Sequence, residues 1–564
     1  MALLIAGLPG CQKKAPGPPP RYAVLRFENL TGDPSLEWVG RAASEVLSRS
    51  LDGALDGPVL PSSALGRLSS SLGSRPAVAP GISTQRAEAI VAGATRVITG
   101  YVEGTAGHLR IAASEEDATG GKSIRFLAAT DGTPMGALTL LAREFSPNAR
   151  PYLTSNQEAL RLYVTGFESS DSSGTGDLER ALQADPRFGP AWTLLVGATV
   201  AAGKRDEAIG LIAKAREQKL DPLDAANLAF EDANLRDDGK ARLDALRRIC
   251  ALSPGDTALR RTTAEAEATA GEFAAAAADW NQLATDSPHD ADAWNQLGYA
   301  RAWSGDYAGA LAALKEYARI RPQDANALDS TGDVQYMFGK FAEAAASYVQ
   351  AGAKDPGFQN GGELYKAAWA KFHAGDKTGA DAAFAQFRAA REKAGGGGLS
   401  VFEGDWRYRT GHEKEAMALL RNDTSPAKSQ ALTQLAVWEL IAGDRAAAAK
   451  DIVAAGPPTA TGMLIARFAT LPSAPAAEWE SRAEHMMPGP SAAGVRRLAL
   501  GYALLLDGKK QAALPVWQQI VAANSATDFF SRAIYARLHG EKPKVEPVPD
   551  PTGVNEFAAV LDRI

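Results

Sequence analysis

Residues able to do covalent, phosphate or metal chemistry are scattered through the 564-residue sequence. Gly121-Lys122-Ser123 ends as a phosphate-cradling loop does, with a lysine for the phosphates and a hydroxyl for magnesium. Such a loop needs a glycine at position 116, and that residue is Glu116; the stretch is read as a hairpin turn. Ser425-x-x-Lys428 has the spacing of an acylating serine beside a lysine base, but the companion motifs of such a site are absent from the sequence. His108, His289, His373, His412, His485 and His539 include no pair at metal-ligand spacing. Gly395 to Gly398 have neither a following Lys-Ser/Thr nor dinucleotide-loop spacing and are read as a flexible joint. The two cysteines, Cys11 and Cys250, make no disulfide framework or metal cluster; Cys250 is read as a small buried residue. The expectation is therefore a protein with no catalytic residue, no cofactor and no metal, and not an enzyme.

What is patterned is the scaffold. Proline recurs at Pro254, Pro288, Pro322 and Pro356, every 34 residues. A fixed period of this length marks stacked helix-turn-helix repeats, and a proline closes each unit because it cannot continue the helix behind it. Between Pro288 and Pro322 stand Ala291, Trp294, Leu297, Gly298, Tyr307, Ala310 and Leu314. One unit later stand Leu328, Gly332, Phe341, Ala344 and Tyr348, and one unit earlier Phe273, Ala276, Trp280 and Leu283. Trp294, Leu297 and Gly298 share one helix face, and Gly298 and Ala310 let two helices approach closely. Gly305-Asp306 and Gly339-Lys340 break the chain between the helices of a pair.

In residue type and spacing these units resemble the tetratricopeptide (TPR) repeat, which implies a mainly α solenoid with a concave groove lined by first helices. On that resemblance the groove-facing stripe is Asp292, Asn295, Tyr299 and Trp303, then Asn326, Asp329, Asp333 and Tyr336, with Arg261 and Glu265 in the unit before. The lining is polar and locally acidic. It implies a basic or neutral protein or peptide partner, hydrogen-bonded to Asp329 and Asp333 and packed on Tyr299 and Tyr336. The other reading is a set of solvated helix-face residues.

The chain around the repeats divides as follows. The apolar run at 1–11 ends in Leu8-Pro9-Gly10-Cys11 and resembles a bacterial lipoprotein signal, which implies lipidation of Cys11 and a membrane-anchored, periplasm-facing protein of the cell envelope. Without lipidation the expectation is a cytoplasmic protein. A proline-rich linker, 12–20, follows. Residues 21–148 alternate strand and helix patterns: Tyr22 to Phe27, a turn from Glu28 to Pro34, a helix over Ser35 to Leu51, a short strand at Val59-Leu60, a helix capped by Ser83 or Thr84 through Val91, strands over Arg96–Glu103, Leu109–Ser114 and Ser123–Ala128, and a helix over Met135–Phe145. The stretch Phe27 to Trp38 and the later Val97 to Gly104 resemble the TolB-like N-terminal domain, a small α/β domain that commonly precedes TPR repeats in bacterial proteins. With twenty residues before it, the resemblance implies no enzyme. TPR units are expected over 152–394 and degenerate helix pairs over 399–540. A proline-rich tail, 541–564, ends in Phe557, Val560, Leu561 and Ile564 at helical spacing and is expected to dock.

The composition is that of an ordinary globular chain, 45% hydrophobic and 22% charged, with a net charge of −6. That balance offers no basic stripe for nucleic acid. Apart from the expected lipid anchor, no run is long and apolar enough to span a membrane. Three function classes follow: a TPR scaffold or adaptor for a protein partner, an envelope carbohydrate or peptidoglycan binder using the TolB-like domain or the aromatics Trp303, Tyr299 and Tyr336, and, last, an enzyme built on the degenerate units.

Overall fold

The computed structural model describes residues 20–62, 84–105, 107–120, 122–168, 173–524 and 526–564. Cys11 and Ser83 lie outside them. The fold is mainly α, a succession of antiparallel helix pairs preceded by a small α/β sheet region. It divides into two compact units, Met1–Thr263 and Ala264–Ile564.

The first unit begins with a five-stranded sheet. β1 (Tyr22–Val24) and β2 (Glu28–Asn29) both pair in parallel with β3 (Arg96–Thr105), and β3, β4 (His108–Asp117) and β5 (Ser123–Asp131) run antiparallel. Strand alternation separates two faces. Tyr22 and Val24 join the core with Val46 and Leu47 of the Trp38–Leu51 helix and Leu138 and Leu141 of the Pro134–Phe145 helix. Ala23 and Leu25 pack instead with Ala89 of the Thr84–Val91 helix. The expected turn over Glu28 to Pro34 is in part a strand: Glu28 and Asn29 lie beside Tyr101 and Val102. The turn chemistry is real but begins later. Asn29 Oδ1 accepts from Thr31 N–H at 3.1 Å and Asp33 caps Ser35 N–H at 2.9 Å. Val59 contributes a single bridge to Tyr22 where a short strand was expected.

Three helix pairs follow in the same unit: Gln157–Glu168 with Ser173–Ala184, Gly189–Ala201 with Arg205–Arg216, and Pro222–Arg236 with Gly239–Leu252. Leu160, Tyr163, Phe188 and Trp192 from these pairs share one core with the sheet-facing residues. The proline-bearing linker at 146–154 therefore separates sequence patterns but not cores.

In the second unit the pairs are Ala291–Ser304 with Tyr307–Ile320, Asn326–Met337 with Phe341–Lys354, Gly362–His373 with Lys377–Lys393, Leu399–Arg409 with Glu413–Arg421, and Lys428–Ile441 with Arg445–Ala454; the later pairs extend to Leu538. One two-residue device repeats at their turns. Gly305, Gly375 and Gly443 take φ of 96°, 86° and 85°, and the aspartate after each caps the next helix: Asp306 on Gly309 N–H, Asp376 on Gly379 N–H, Asp444 on Ala447 N–H. Glycine ends one helix without Cβ strain, and aspartate satisfies an orphan donor of the following one. The close-approach positions lie where the 34-residue register puts them. A Cβ on Gly298 would come within 2.8 Å of Leu314, and one on Gly332 within 2.6 Å of the Tyr348 ring.

The four glycines at 395–398 form a tight turn between Lys377–Lys393 and Leu399–Arg409. Gly395, Gly396 and Gly398 have positive φ, and Arg391 Nε donates to Gly397 O at 3.1 Å. The expectation of a joint thus becomes a defined connection, required because non-glycine residues strain at three of its positions.

Candidate partner-binding face

The stripe read from the sequence splits into two layers. Lys366, on the Gly362–His373 helix one unit beyond Asp333, reaches back and donates to Asp329 Oδ2 at 2.8 Å and Asp333 Oδ1 at 2.9 Å. Tyr299 Oη donates to Asp333 Oδ2 and Tyr348 Oη to Asp333 Oδ1, each at 2.8 Å. Asp329 is 2%, Asp333 8% and Lys366 5% exposed. The expectation that these acids stand open to a basic partner is corrected here: Lys366 and two tyrosine hydroxyls already occupy them. The Tyr299 hydroxyl is likewise committed to Asp333.

The electrostatics follow from burial. Burial and the charge of Asp333 push the Asp329 carboxyl up to about 6. Burial pulls the Lys366 ammonium down, but Asp333 and Asp329 outweigh it and hold it above its usual range. Glu363, fully buried beside this layer, is pushed up to about 7 by burial.

The remaining stripe residues are placed separately. Asp292 is exposed and lies 3.5 Å from Arg321. Asn295 is half-buried. Asn326 Nδ2 donates to Tyr317 Oη at 3.0 Å, and its N–H to Asp324 at 2.9 Å. Trp303 and Tyr336 belong to an aromatic wall: Trp303 packs on Phe273, Tyr299 and Phe529, and Tyr336 on Phe341 and His373. His373 is no ligand; burial in this wall lowers it to about 4.

Trp303 and Tyr336 also line a cavity of about 620 Å³, and its other side is the chain's own tail, Glu546 to Leu561. The tail runs along the first helices of the unit. Glu546 N–H donates to Met337 O at 3.0 Å. Arg391 Nη1 donates to Pro551 O at 3.3 Å, and Pro551 lies so close to Gly362 that a Cβ there would come within 2.7 Å of it. Phe557 stacks on Tyr502 at 4.0 Å between centroids, and Val560 and Leu561 join that core. Arg409 Nε donates to Asp562 at 2.6 Å while Nη1 lies 3.4 Å from Asp405, with the guanidinium 4.1 Å over the Trp369 ring. Arg537 donates to Leu561 O at 2.7 Å and lies 3.7 Å from Glu546, and Arg563 pairs with Glu413. The docked tail expected from Phe557, Val560 and Leu561 is present as the helix Ala558–Arg563, entered through Phe557. Nothing in its sequence said that it would lie on this face.

Neither enzymatic fragment assembles a site. Ser425 Oγ faces Asp423 at 3.1 Å and accepts from Ala427 N–H, which makes it a turn residue. Lys122-Ser123 opens β5 after a turn in which Asp117 accepts from Thr119 and Gly120 N–H. Among the described residues no group of histidine, cysteine, aspartate and glutamate could hold a metal ion, and no helix is long and apolar enough to cross a membrane.

No known family profile matches the chain, and no curated protein sequence does. Solved structures similar to parts of it include MamA from Desulfovibrio magneticus RS-1, at 16% identity over 31% of this chain and 97% of that one with a TM-score of 0.26. YrrB, described as a TPR protein with an unusual peptide-binding site, is 20% identical over 31% of this chain and 92% of its own, with a TM-score of 0.25. The C-terminal part of a TPR repeat-containing protein from Cytophaga hutchinsonii is 14% identical over 41% and 93%, with a TM-score of 0.31. At these identities and scores the likenesses carry no partner over to this chain; the repeat assignment rests on the helix pairing described above.

Proposed function

We propose that the protein is a non-catalytic adaptor whose second-unit face takes up an extended segment of a partner protein, and that lipidation of Cys11 holds it at a bacterial envelope membrane. One observation carries the binding half of this reading: the face already accommodates an extended proline-bearing segment, Glu546 to Pro551, against Met337, Trp369 and Arg391. Aromatic-lined grooves recognise such segments because little chain entropy is lost on binding. The anchoring half is supported by the Leu8-Pro9-Gly10-Cys11 sequence, and the resemblance of the α/β region to the TolB-like domain fits an envelope setting.

Crosslinking in the native cell, followed by purification under denaturing conditions, tests the binding half. The expected product is a defined protein adduct that weakens in Tyr336→Ala; retention on peptidoglycan with no protein adduct would favour the carbohydrate reading instead. Fractionation tests the anchor. Cys11→Ala should move the protein from membrane to soluble fraction, and a mutant that still pellets with membrane would rule lipid attachment out.

A further inference from the structure

The tail meets the face as a ligand meets a site. It arrives after an exposed stretch, His539 to Lys542. It then presents four prolines, Pro543, Pro547, Pro549 and Pro551, before inserting Phe557, Val560 and Leu561 as anchors. Two of its acidic groups meet arginines of the helices beneath, Glu546 with Arg537 and Asp562 with Arg409, while Arg391 donates to the Pro551 carbonyl. The packing beside it is incomplete, leaving the cavity of about 620 Å³ between the tail and the Trp303–Tyr336–Trp369 wall. An element belonging wholly to a repeat core would fill that space, since interiors are close-packed.

We infer that residues 541–564 are a built-in competitor for the partner site, and that the partner is an acidic, proline-containing segment followed by a short turn of helix with an aromatic anchor. The inference deepens the adaptor reading and rests on it. It replaces a basic or neutral partner with an acidic one, because the acids expected to attract positive charge are neutralised by Lys366, and three arginines, Arg391, Arg409 and Arg537, face the tail against the acid Glu413 that takes its Arg563. In the resting chain the tail holds the face closed, and a partner enters by displacing it. The local concentration of a tethered segment is high, so a free peptide of the same sequence competes poorly until the tether is cut.

The test uses the full chain carrying a protease recognition sequence in the exposed 539–542 stretch, and a fluorescein-labelled peptide of residues 542–564 as probe. After nicking, the probe should bind saturably, and at least tenfold more weakly to the intact chain. An unlabelled peptide with Phe557→Ala and Val560→Ala should compete at least tenfold less well than the native peptide. One with Glu546→Lys, Asp550→Lys, Glu556→Lys and Asp562→Lys should fail likewise. Circular dichroism is read on the nicked protein with its severed tail removed. Loss of helix beyond that of Ala558–Arg563 itself on removal would make the tail a structural element and overturn the inference, as would equal binding to nicked and intact chains or no binding to either. Tail exchange between copies, seen as dimer formation in light scattering of the intact chain, would overturn it in favour of self-association. The adaptor reading stands or falls separately, on the cellular crosslink.

Discussion

Lys366 and Arg409, both in the second unit, each sit between two carboxylates, and they differ in what they hold together. Lys366 bridges Asp329 and Asp333, all three from neighbouring repeat helices and all nearly inaccessible. Arg409 bridges Asp405 of its own helix and Asp562 of the tail, which keeps about a third of its side chain exposed. The first bridge is sealed inside the stack; the second has one partner at the surface. A buried ion pair costs much to break because the remaining charge has no solvent, whereas a rim pair contributes little and exchanges readily. Structural permanence and detachability are therefore written in burial, with nearly the same chemistry in both places.

The largest effect should come from breaking the sealed bridge. Lys366→Met leaves Asp329, Asp333 and Glu363 without a counter-charge and should destabilise the unit by about 3–5 kcal/mol in urea melts. The same reasoning makes Asp329→Lys with Asp333→Lys a folding mutant, contrary to the surface reading of those residues; unchanged melting of either variant would show the layer to be hydrated.

Next in size is the packing that aims the layer. Gly332→Val would drive a side chain into the Tyr348 ring, whose hydroxyl serves Asp333, and should cost about 1–3 kcal/mol. Gly298→Val should behave alike against Leu314, while Gly397→Val, with open space around it, should cost far less. Equal losses at all three would contradict the register.

Acidity sharpens the comparison further. Glu363 is raised from 4.5 to about 7, so between those values the folded chain binds a proton that the unfolded chain has released. Its contribution to stability is full below about pH 4.5 and declines as pH rises through 7. Asp329 shifts in the same direction. Glu363→Gln should flatten the decline and gain on the order of 1–3 kcal/mol at pH 8 relative to pH 5. Parallel pH profiles for the two proteins would mean that Glu363 is solvated.

The smallest expected effect is at the detachable bridge. Asp562→Asn should change global stability by less than ~1 kcal/mol, yet speed limited proteolysis in the exposed 539–542 stretch. A stability loss as large as that of Lys366→Met would erase the distinction between the two bridges.

The period of 34, the glycine-aspartate turns and the close-approach glycines were legible because repeats depend on near neighbours, whose spacing the sequence displays. Asp329 and Asp333 were correctly placed on a first helix, but their burial was not legible. It depends on Lys366, in the following unit, and on the rotation of one helix against the next. The strand at Glu28–Asn29 was hidden by the turn residues that follow it, since its pairing partner lies in Tyr101–Val102. The tail's anchors showed in the spacing of Phe557, Val560 and Leu561. Its docking place did not, because Arg409 and Tyr502 are far away along the chain and carry no local mark.

The pairing of Arg409 with Asp562 spans 153 residues in a unit whose helix pairs follow one another along the chain. Helix pairs of this kind can form as they are synthesised, each on the one before it. The tail cannot join them until every helix it covers has been made. During translation the aromatic wall at Trp303, Tyr336 and Trp369 is therefore complete and uncovered before residues 541–564 leave the ribosome. The newborn chain passes through an interval in which this face is open to whatever meets it first.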